Sequence, residues 1–323
     1  MKTFLISIDT EGDNLWAWKV GDPIYTENAK HLYRFQILCE KYGFKPTYLT
    51  NYEMAKSKDF QSFAKVAIRG GNAEIGMHLH AWNTPPQYDF NKLAEQPGAA
   101  YLVEYPDDVM EEKIKTVHEL LEQTFEERII THRAGRWTTD ERYFSILHKL
   151  DYLVDCSVTP HLSWVQYPGT SFGSIGSDYT QCSENTSILI NGERPLLEIP
   201  VTVRKSNAIF PPTRKDVKAV GGSIYRAIKG QYLWLRPTGS NLKQLLWLVD
   251  NIARDKSSDY IMFMLHSSEF MPGGSPTFKT AESIEKLYHD MDLLFQYASD
   301  RFEGVTIGDY GKKMIEKNGG DAL

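Results

Sequence analysis

The sequence MKTFLISIDTEGD (residues 1–13) indicates the fold class of the chain. Residues 3–8 are mostly apolar or β-branched, as in a buried strand, and the acids Asp9, Glu11 and Asp13 follow directly. These acids interrupt the apolar run before the core of a signal peptide can form. We therefore expect a cytoplasmic protein whose first strand begins almost at residue 1.

The same pattern, a short apolar strand followed by a longer amphipathic stretch, recurs along the chain. It predicts strands at residues 3–8, 47–50, 73–80, 129–132, 152–155, 196–203, 261–265 and 304–307, and helices near residues 26–42, 57–69, 107–126, 139–149, 239–254 and 279–299. This alternation is typical of an α/β fold with a largely parallel sheet, and the number of strands favours a barrel.

Residues 160–240 interrupt the alternation because they are rich in Gly, Ser, Pro and Tyr. We interpret them as a long insertion, with a hairpin near Asn191-Gly192, within a single domain that spans residues 1–323.

Composition excludes several classes of protein. Of the 323 residues, 41% are apolar and 24% are charged, which is typical of globular proteins and not of disordered ones. The net charge of −6 argues against broad binding to nucleic acid, and three scattered cysteines argue against a disulfide framework. No apolar run approaches the roughly 20 residues of a transmembrane helix, so no integral membrane segment is predicted.

Polar side chains suited to catalysis follow the ends of the predicted strands. They are Asp9 and Glu11, His78 and His80, Arg133 and Arg136, Asp155, and His266 with Glu269. In a parallel barrel all strand ends of one sense meet on one face, and that face carries the active site. We therefore expect these side chains to share one polar pocket.

The spacing of the acids and histidines predicts a metal site. Asp9 and Glu11 occupy alternate positions, as do His78 and His80, so each pair can point to one side of its strand. Two imidazoles, a carboxylate and an open position are what a hydrolytic zinc site requires. The alternative is that the acids only form a turn and the histidines are structural.

Arg133 and His266 each allow a catalytic and a structural interpretation. Arg133 can hold a carboxylate ionised and lower its pKa, or it can form an ordinary surface ion pair. His266 can act as a general acid tuned by Asp155 or Glu269, or it can pack under the loop that follows it. Tryptophans near the same strand ends suit sugar rings, or pack as ordinary loop residues: Trp16, Trp18, Trp82, Trp137 and Trp164.

Five segments taken in order resemble the polysaccharide deacetylase superfamily (NodB homology, carbohydrate esterase family 4). They are SIDTE (7–11), EIGMH (74–78), RAGRW (133–137), YLVDCSV (152–158) and LH (265–266). Two further segments, WLRP (234–237) and LHSSEF (265–270), resemble a branch found among O-antigen and other surface polysaccharide biosynthesis proteins.

The resemblance implies a distorted seven-stranded (β/α) barrel that removes an acetyl group from an N-acetylated sugar with the help of a divalent metal, most simply Zn²⁺. The substrate would be a nucleotide-linked, lipid-linked or oligosaccharide precursor of a surface polysaccharide. Asp9 would be the base, Arg133 would orient it, and His266 would protonate the leaving amine. The metal ligands would be Glu11, His78 and His80. Asp155 completes the candidate catalytic residues, and the candidate substrate-binding residues are Trp82, Arg136, Trp137 and Glu269.

The sequence departs from the family pattern at two points. The first motif has Asp9-x-Glu11 instead of adjacent acids, and Trp82 stands where a second histidine is usual, so His80 would have to serve as the ligand. Two alternatives therefore stay open. One is another hydrolase on the same barrel, acting on a glycosidic bond through Asp9 and Glu11 or on a non-sugar amide. The other is an inactive relative that binds glycans. The sequence does not fix the oligomeric state.

Overall fold

The computed structural model describes residues 1–19, 21–88, 101–167, 169, 175–210 and 217–319. These residues form eleven strands: β1 (Lys2–Thr10), β2 (Pro46–Thr50), β3 (Glu74–Leu79), β4 (Thr131–Ala134), β5 (Val154–Asp155), β6 (Ser187–Ile190), β7 (Leu196–Glu198), β8 (Val203–Ser206), β9 (Gln231–Trp234), β10 (Tyr260–His266) and β11 (Phe302–Gly304). The main sheet has the order β10-β1-β2-β3-β4-β5-β7-β6, and β11 pairs with the start of β1. Neighbours from β10 to β7 are all parallel, whereas β6 is antiparallel to β7. This curled sheet confirms the predicted α/β fold of the distorted barrel type.

Helices connect most of the parallel strands and cover the outside of the sheet. They are α1 (Leu32–Lys41), α2 (Tyr52–Lys56), α3 (Lys58–Arg69), α4 (Asp107–Phe125), α5 (Glu141–Lys149), α6 (Val217–Lys229), α7 (Leu242–Arg254), α8 (Ala281–Ser299) and α9 (Ile307–Lys317). The six predicted helices correspond to α1, α3, α4, α5, α7 and α8. None of the helices in the described part of the chain combines the length and the hydropathy needed to cross a bilayer.

The alternation of β1 directs its polar side chains into the barrel. Phe4, Ile6 and Ile8 belong to the apolar cluster shared with the helices, while Leu5 belongs to a second cluster inside the curled sheet. Because successive side chains of a strand point to opposite faces, Ser7 and Asp9 lie on the same inner face as Leu5. This register places Asp9 at the inner end of the strand.

The insertion also contacts β10, the first strand in the order of the main sheet. Its strands β8 and β9 form a separate antiparallel pair. The Leu235 N–H donates to the Thr202 carbonyl at 3.0 Å, and the Met264 N–H donates to the Leu235 carbonyl at 3.2 Å. The predicted hairpin near Asn191-Gly192 corresponds to β6 and β7. Residues 170–174 and 211–216 of the insertion lie outside the described residues, and the single-domain organisation stays a prediction.

Two predicted strands are wrong in their bounds. The strand predicted at 196–203 ends at Glu198 in β7, and β8 begins only at Val203. Pro200 lies between them and has no N–H with which to continue a ladder. The strand predicted at 304–307 is β11, which ends at Gly304, and Ile307 begins α9 instead.

Candidate active site

One cavity at the carboxyl ends of the parallel strands gathers most of the predicted site residues. Its volume is about 760 Å³, and its lining includes Asp9, Glu11, His78, His80, Trp82, Arg136, Trp137 and His266. These residues follow β1, β3, β4 and β10, as expected where parallel strands end on a common face. Arg133 and Glu269 lie directly behind this lining, and Asp155 does not line the cavity.

Glu11, His78 and His80 converge on one point in the cavity wall. The Nε2 atoms of the two histidines are 3.1 Å apart, and Glu11 Oε2 lies 2.8 Å from His80 Nε2 and 3.5 Å from His78 Nε2. All three side chains are buried. Zinc–nitrogen bonds of about 2.0–2.1 Å at a tetrahedral angle separate neighbouring donor atoms by roughly 3.3 Å. The three residues therefore fit one metal ion.

The surroundings of the two histidines favour ligation through Nε2. His78 Nδ1 lies 2.8 Å from the Arg133 carbonyl, which can only accept a hydrogen bond, so His78 carries its proton on Nδ1. This outer contact leaves the Nε2 lone pair free for a metal and fixes the ring orientation. Trp82 stacks on His80 with ring centroids 4.1 Å apart. The tryptophan that replaces the expected histidine thus supports the ring of His80.

The pKa shifts of this cluster differ between its members. Burial disfavours the Glu11 carboxylate, but hydrogen bonds with His78 and His80 outweigh burial and hold its pKa well below the usual range. Burial also opposes the charged form of His78, yet Asp9 and Glu11 raise its pKa. For His80 burial dominates and lowers the pKa. An ionised carboxylate thus faces one imidazole that gives up its proton easily, as a metal ligand must.

Arg133 is fully buried and binds Asp9 from below the cavity. Its Nη1 donates to Asp9 Oδ1 at 2.5 Å, its Nη2 to Ser7 Oγ at 2.9 Å, and its Nε to the Cys156 carbonyl at 2.9 Å. Burial opposes ionisation of Asp9, but Arg133 together with His78 and His266 outweighs burial and lowers the Asp9 pKa. The predicted contact between Arg133 and a carboxylate is present, and it leaves Asp9 ionised with its Oδ2 toward the cavity. The catalytic roles of both residues stay predictions.

His266 lines the same cavity, with its Nε2 toward the two acids and its Nδ1 bound to Glu269. Its Nε2 is 3.8 Å from Asp9 Oδ2 and 3.9 Å from Glu11 Oε1. Its Nδ1 is 3.2 Å from Glu269 Oε2, which also accepts the His266 backbone N–H at 2.9 Å. Arg236 Nη2 donates to the same Glu269 oxygen at 3.1 Å. Burial opposes ionisation of Glu269, but Arg236 and His266 outweigh it and lower the Glu269 pKa.

Sequence reasoning gave Arg236 no chemical role, although WLRP contributed to the resemblance. Arg236 follows β9, an antiparallel strand of the insertion. Sequence reasoning considered polar residues at the ends of parallel strands, so it did not include Arg236. Apart from its place in WLRP, no signal in the sequence distinguishes Arg236. In the structure the Glu269 carboxylate is buried, and Arg236 is a cation that binds it.

Asp155 belongs to a separate buried network. It accepts hydrogen bonds from His132 Nδ1 at 2.6 Å and from Ser157 Oγ at 2.9 Å, and His132 Nε2 lies 2.8 Å from the Tyr143 hydroxyl. Burial lowers the pKa of His132 despite the neighbouring Asp155. Asp155 and Glu269 were both candidates for the acid beside His266, and it is Glu269 that contacts the His266 ring. A catalytic role for Asp155 stays a prediction, and its observed contacts support β4 and β5 from within the core.

Two stacked pairs of tryptophans form part of the cavity wall. Trp18 stacks on Trp82, with ring centroids 5.6 Å apart. Trp137 stacks on Trp164, with centroids 6.2 Å apart and the planes 9° from parallel. Trp164 comes from the insertion, so the insertion forms part of the cavity. Flat apolar faces around a polar floor are suited to sugar rings.

Comparisons with known proteins give the fold of the chain. No protein-family profile and no curated protein sequence matches it. Among solved structures, a protein assigned as a polysaccharide deacetylase from Mycobacterium smegmatis superposes with a TM-score of 0.56 at 13% identity, covering 98% of this chain and 92% of that one. The 4-alpha-glucanotransferase of Thermococcus litoralis superposes with a TM-score of 0.52 at 11% identity, covering 97% of this chain and 40% of that one.

The chain has the polysaccharide deacetylase fold. The resemblance seen in the sequence is thus confirmed for the fold, while the O-antigen branch is not confirmed. The likeness to a glucanotransferase means that the fold leaves open which bond is cleaved. The reaction of this chain therefore has to be inferred from the side chains in its cavity.

Proposed function

We propose that the protein is a metal-dependent hydrolase that removes an acetyl group from an N-acetylated saccharide. The observation that carries this proposal is the placement of the Glu11, His78 and His80 donor atoms beside an ionised Asp9, with His266 lining the same cavity. These are the ligands, the base and the acid that hydrolysis of an acetamide requires.

Each residue has a defined part in the reaction. A zinc ion held by Glu11, His78 and His80 would polarise the acetyl carbonyl and lower the pKa of a water ligand toward roughly 7. Asp9, kept ionised by Arg133, takes the proton of the attacking water. His266 delivers a proton to the sugar nitrogen as the carbon–nitrogen bond breaks, while Glu269 stabilises its protonated ring. The products are acetate and a free amino sugar.

The charge state of the two acids argues against a glycosidase. Glycoside hydrolysis needs one carboxylic acid that stays protonated until it reaches the leaving oxygen, which requires a raised pKa. In this cavity the pKa values of both Asp9 and Glu11 are lowered. Neither acid is suited to donate a proton, whereas an ionised base and a metal ligand are what deacetylation uses.

The aromatic walls support a saccharide as the acyl carrier. Following the sequence resemblance, we place the substrate among precursors of surface polysaccharides. The cytoplasmic location likewise comes from the sequence alone and stays a prediction.

Acetate release tests the proposal. Chelator-treated protein, reloaded with Zn²⁺, is incubated with N-acetylglucosamine oligosaccharides and with nucleotide-linked N-acetylglucosamine. We expect acetate from at least one of them, and a loss of about a hundred- to ten-thousand-fold in Asp9→Asn. Asp300→Asn, an exposed acid outside the cavity, is the matched control and should retain full activity.

Other outcomes would replace the proposal. New reducing ends without acetate would point to glycosidic cleavage. Sugar binding by folded protein without stoichiometric metal and without acetate release would point to a glycan-binding relative that has no catalytic activity.

A further inference from the structure

We infer that the cavity contains an oxyanion subsite built on Arg136, with Lys19 at its rim, so that the saccharide substrate carries a phosphate or a carboxylate group. This inference deepens the proposed function and rests on it only in taking the ligand to be a saccharide. Both residues line the cavity that holds the candidate metal ligands.

Arg136 differs from the other arginines of comparable burial. Across the described ranges, each of the other buried or half-buried arginines has a carboxylate oxygen within 4.0 Å: Arg133 with Asp9, Arg204 with Glu184, Arg236 with Glu269 and Arg301 with Asp250. Arg136 is half-buried, and no ion pair joins it to any acid in that part of the chain. A partly desolvated guanidinium without a counterion is costly unless a ligand supplies the negative charge.

The acids of the cavity are not available to neutralise Arg136. Asp9 is bound to Arg133, and Glu11 is bound to His78 and His80. A metal ion on Glu11 would make the cavity more positive still. The unpaired cation therefore faces the space that the substrate occupies.

The backbone at Arg136 is strained in a way that directs this side chain into the cavity. Arg136 and Trp137 have φ of 56° and 60°, which is left-handed backbone at two successive residues that are not glycine. The turn is held by Thr138 Oγ1, which donates to the Arg136 carbonyl at 3.1 Å, and by the Tyr179 hydroxyl, which donates to the Trp137 carbonyl at 2.5 Å. Strained backbone fixed in this way is typical of ligand-binding positions.

The guanidinium is also held in a defined plane. Its carbon lies 4.7 Å from the centre of the Tyr101 ring, and the Tyr101 hydroxyl donates to the Tyr167 carbonyl at 2.7 Å. A guanidinium stacked through one face keeps its N–H groups free at the edge, where they match two oxygens of a phosphate or a carboxylate. Lys19 is exposed and adds a second positive charge at the opening.

Binding measurements on chelator-treated protein test the inference without depending on catalysis. Quenching of tryptophan fluorescence is titrated with N-acetylglucosamine, its 1-phosphate and the corresponding C6 uronic acid. The expected result is that one or both acidic probes bind about tenfold to a hundredfold tighter than the neutral sugar. A preference for the phosphate or for the uronic acid identifies the source of the oxyanion.

Arg136→Gln should abolish this preference, and Arg136→Lys should retain part of it because it keeps the charge but not the planar fork. Arg69→Gln, at an exposed arginine outside the cavity, is the matched control and should bind like the unmodified protein. Equal binding of acidic and neutral sugars, or an undiminished preference in Arg136→Gln, overturns the inference. Acetate release from the acidic sugars with unaltered kinetics in Arg136→Gln would also overturn it while leaving the proposed function in place. An Arg136-dependent preference without acetate release from any probe would retain the subsite and remove the deacetylase proposal.

Discussion

At the residue scale, the metal site depends on which of two neighbouring ring side chains faces Glu11. His80 directs its Nε2 to Glu11 at 2.8 Å, and Trp82 packs on the face of His80. The strand register explains this, because positions 78 and 80 share one side of an extended chain. In the proposed metal site, His80 takes the place of the histidine that the family pattern would put at position 82.

Replacing His80 should remove metal binding. His80→Ala deletes one of three donors, and we expect zinc affinity to fall by more than about a hundredfold, since loss of even an outer partner typically costs 10–100-fold. Trp82→Phe keeps a ring against His80 and should stay within about tenfold of the original affinity. Calorimetric titration of chelator-treated protein with Zn²⁺ measures both. His289→Gln, at an exposed histidine, is the control, and unchanged affinity in His80→Ala would rule out this ligand set.

Replacing Arg236 should change how stability depends on pH. The folded pKa of Glu269 is lowered, chiefly by Arg236 against the effect of burial. The unfolded chain binds the Glu269 proton at about pH 4.3. Ionised Glu269 therefore stabilises the fold above that pH, and the stabilisation is lost as pH falls through the lower folded pKa.

In Arg236→Gln the folded pKa rises, so the variant should be less stable than the unmodified protein by about 1–3 kcal/mol at pH 7. The difference should shrink as pH falls from the raised folded pKa of the variant to the lowered folded pKa of the unmodified protein, below which Glu269 is protonated in both folded proteins. Urea unfolding between pH 7 and pH 3.5 measures it, with Arg69→Gln as the reference. A difference that stays constant across this range would mean that Arg236 acts through packing and not through Glu269.

At the element scale, Lys113 joins α4 to the loop that carries His80 and Trp82. Its Nζ is buried and donates to the carbonyls of Ala81 at 3.0 Å, Pro86 at 2.6 Å and Thr84. Burial without a neighbouring carboxylate lowers the pKa of Lys113 to about 8. One side chain thus donates to three carbonyls of this loop, and within the described part of the chain only the Ala81 carbonyl has a second donor shown, the Tyr105 hydroxyl at 3.4 Å.

Lys113→Met should destabilise the protein by about 2–4 kcal/mol, because buried carbonyls left without a donor cost about 1–3 kcal/mol each and the loop can relax in part. Lys115→Met, two residues further on the same helix, removes an exposed ion pair with Glu111 and should leave the stability almost unchanged. Urea unfolding of both variants gives the comparison. Equal stability of the two variants would mean that the loop keeps its conformation without Lys113.

The same scale shows which elements the sequence can predict. Strands β1 and β10 are rich in apolar residues and buried along almost their whole length, and the polar residues at their carboxyl ends are visible in the sequence. The last predicted strand failed because Thr306 caps a helix: its Oγ1 accepts the Asp309 N–H at 3.1 Å, which starts α9 at Ile307. A threonine after a short apolar run is common both within a strand and at a helix N-cap. The local sequence pattern therefore did not distinguish a strand from the start of a helix.

At the scale of the whole molecule, the candidate site joins residues that are remote in sequence. Strand order makes some of these pairs predictable, since β1 lies between β10 and β2 and all of them end on one face. It does not predict side-chain partners such as Arg236 with Glu269, because the insertion that carries Arg236 has no regular strand–helix pattern. For the same reason the sequence did not show that the insertion supplies Trp164 to the cavity wall.

Because the three metal donors come from two separate segments, metal binding should stabilise the whole fold. Glu11 follows β1, while His78 and His80 belong to β3 and the loop after it, and the unfolded chain does not hold these segments together. A ligand that binds only the folded state stabilises it by about 2.7 kcal/mol at a hundred times its dissociation constant.

Chelator-treated protein should therefore unfold at a higher temperature when Zn²⁺ is added. His80→Ala should show little of this rise, and Mg²⁺, which prefers oxygen ligands, should give less than Zn²⁺. A rise of equal size in His80→Ala would place the stabilising metal elsewhere in the molecule.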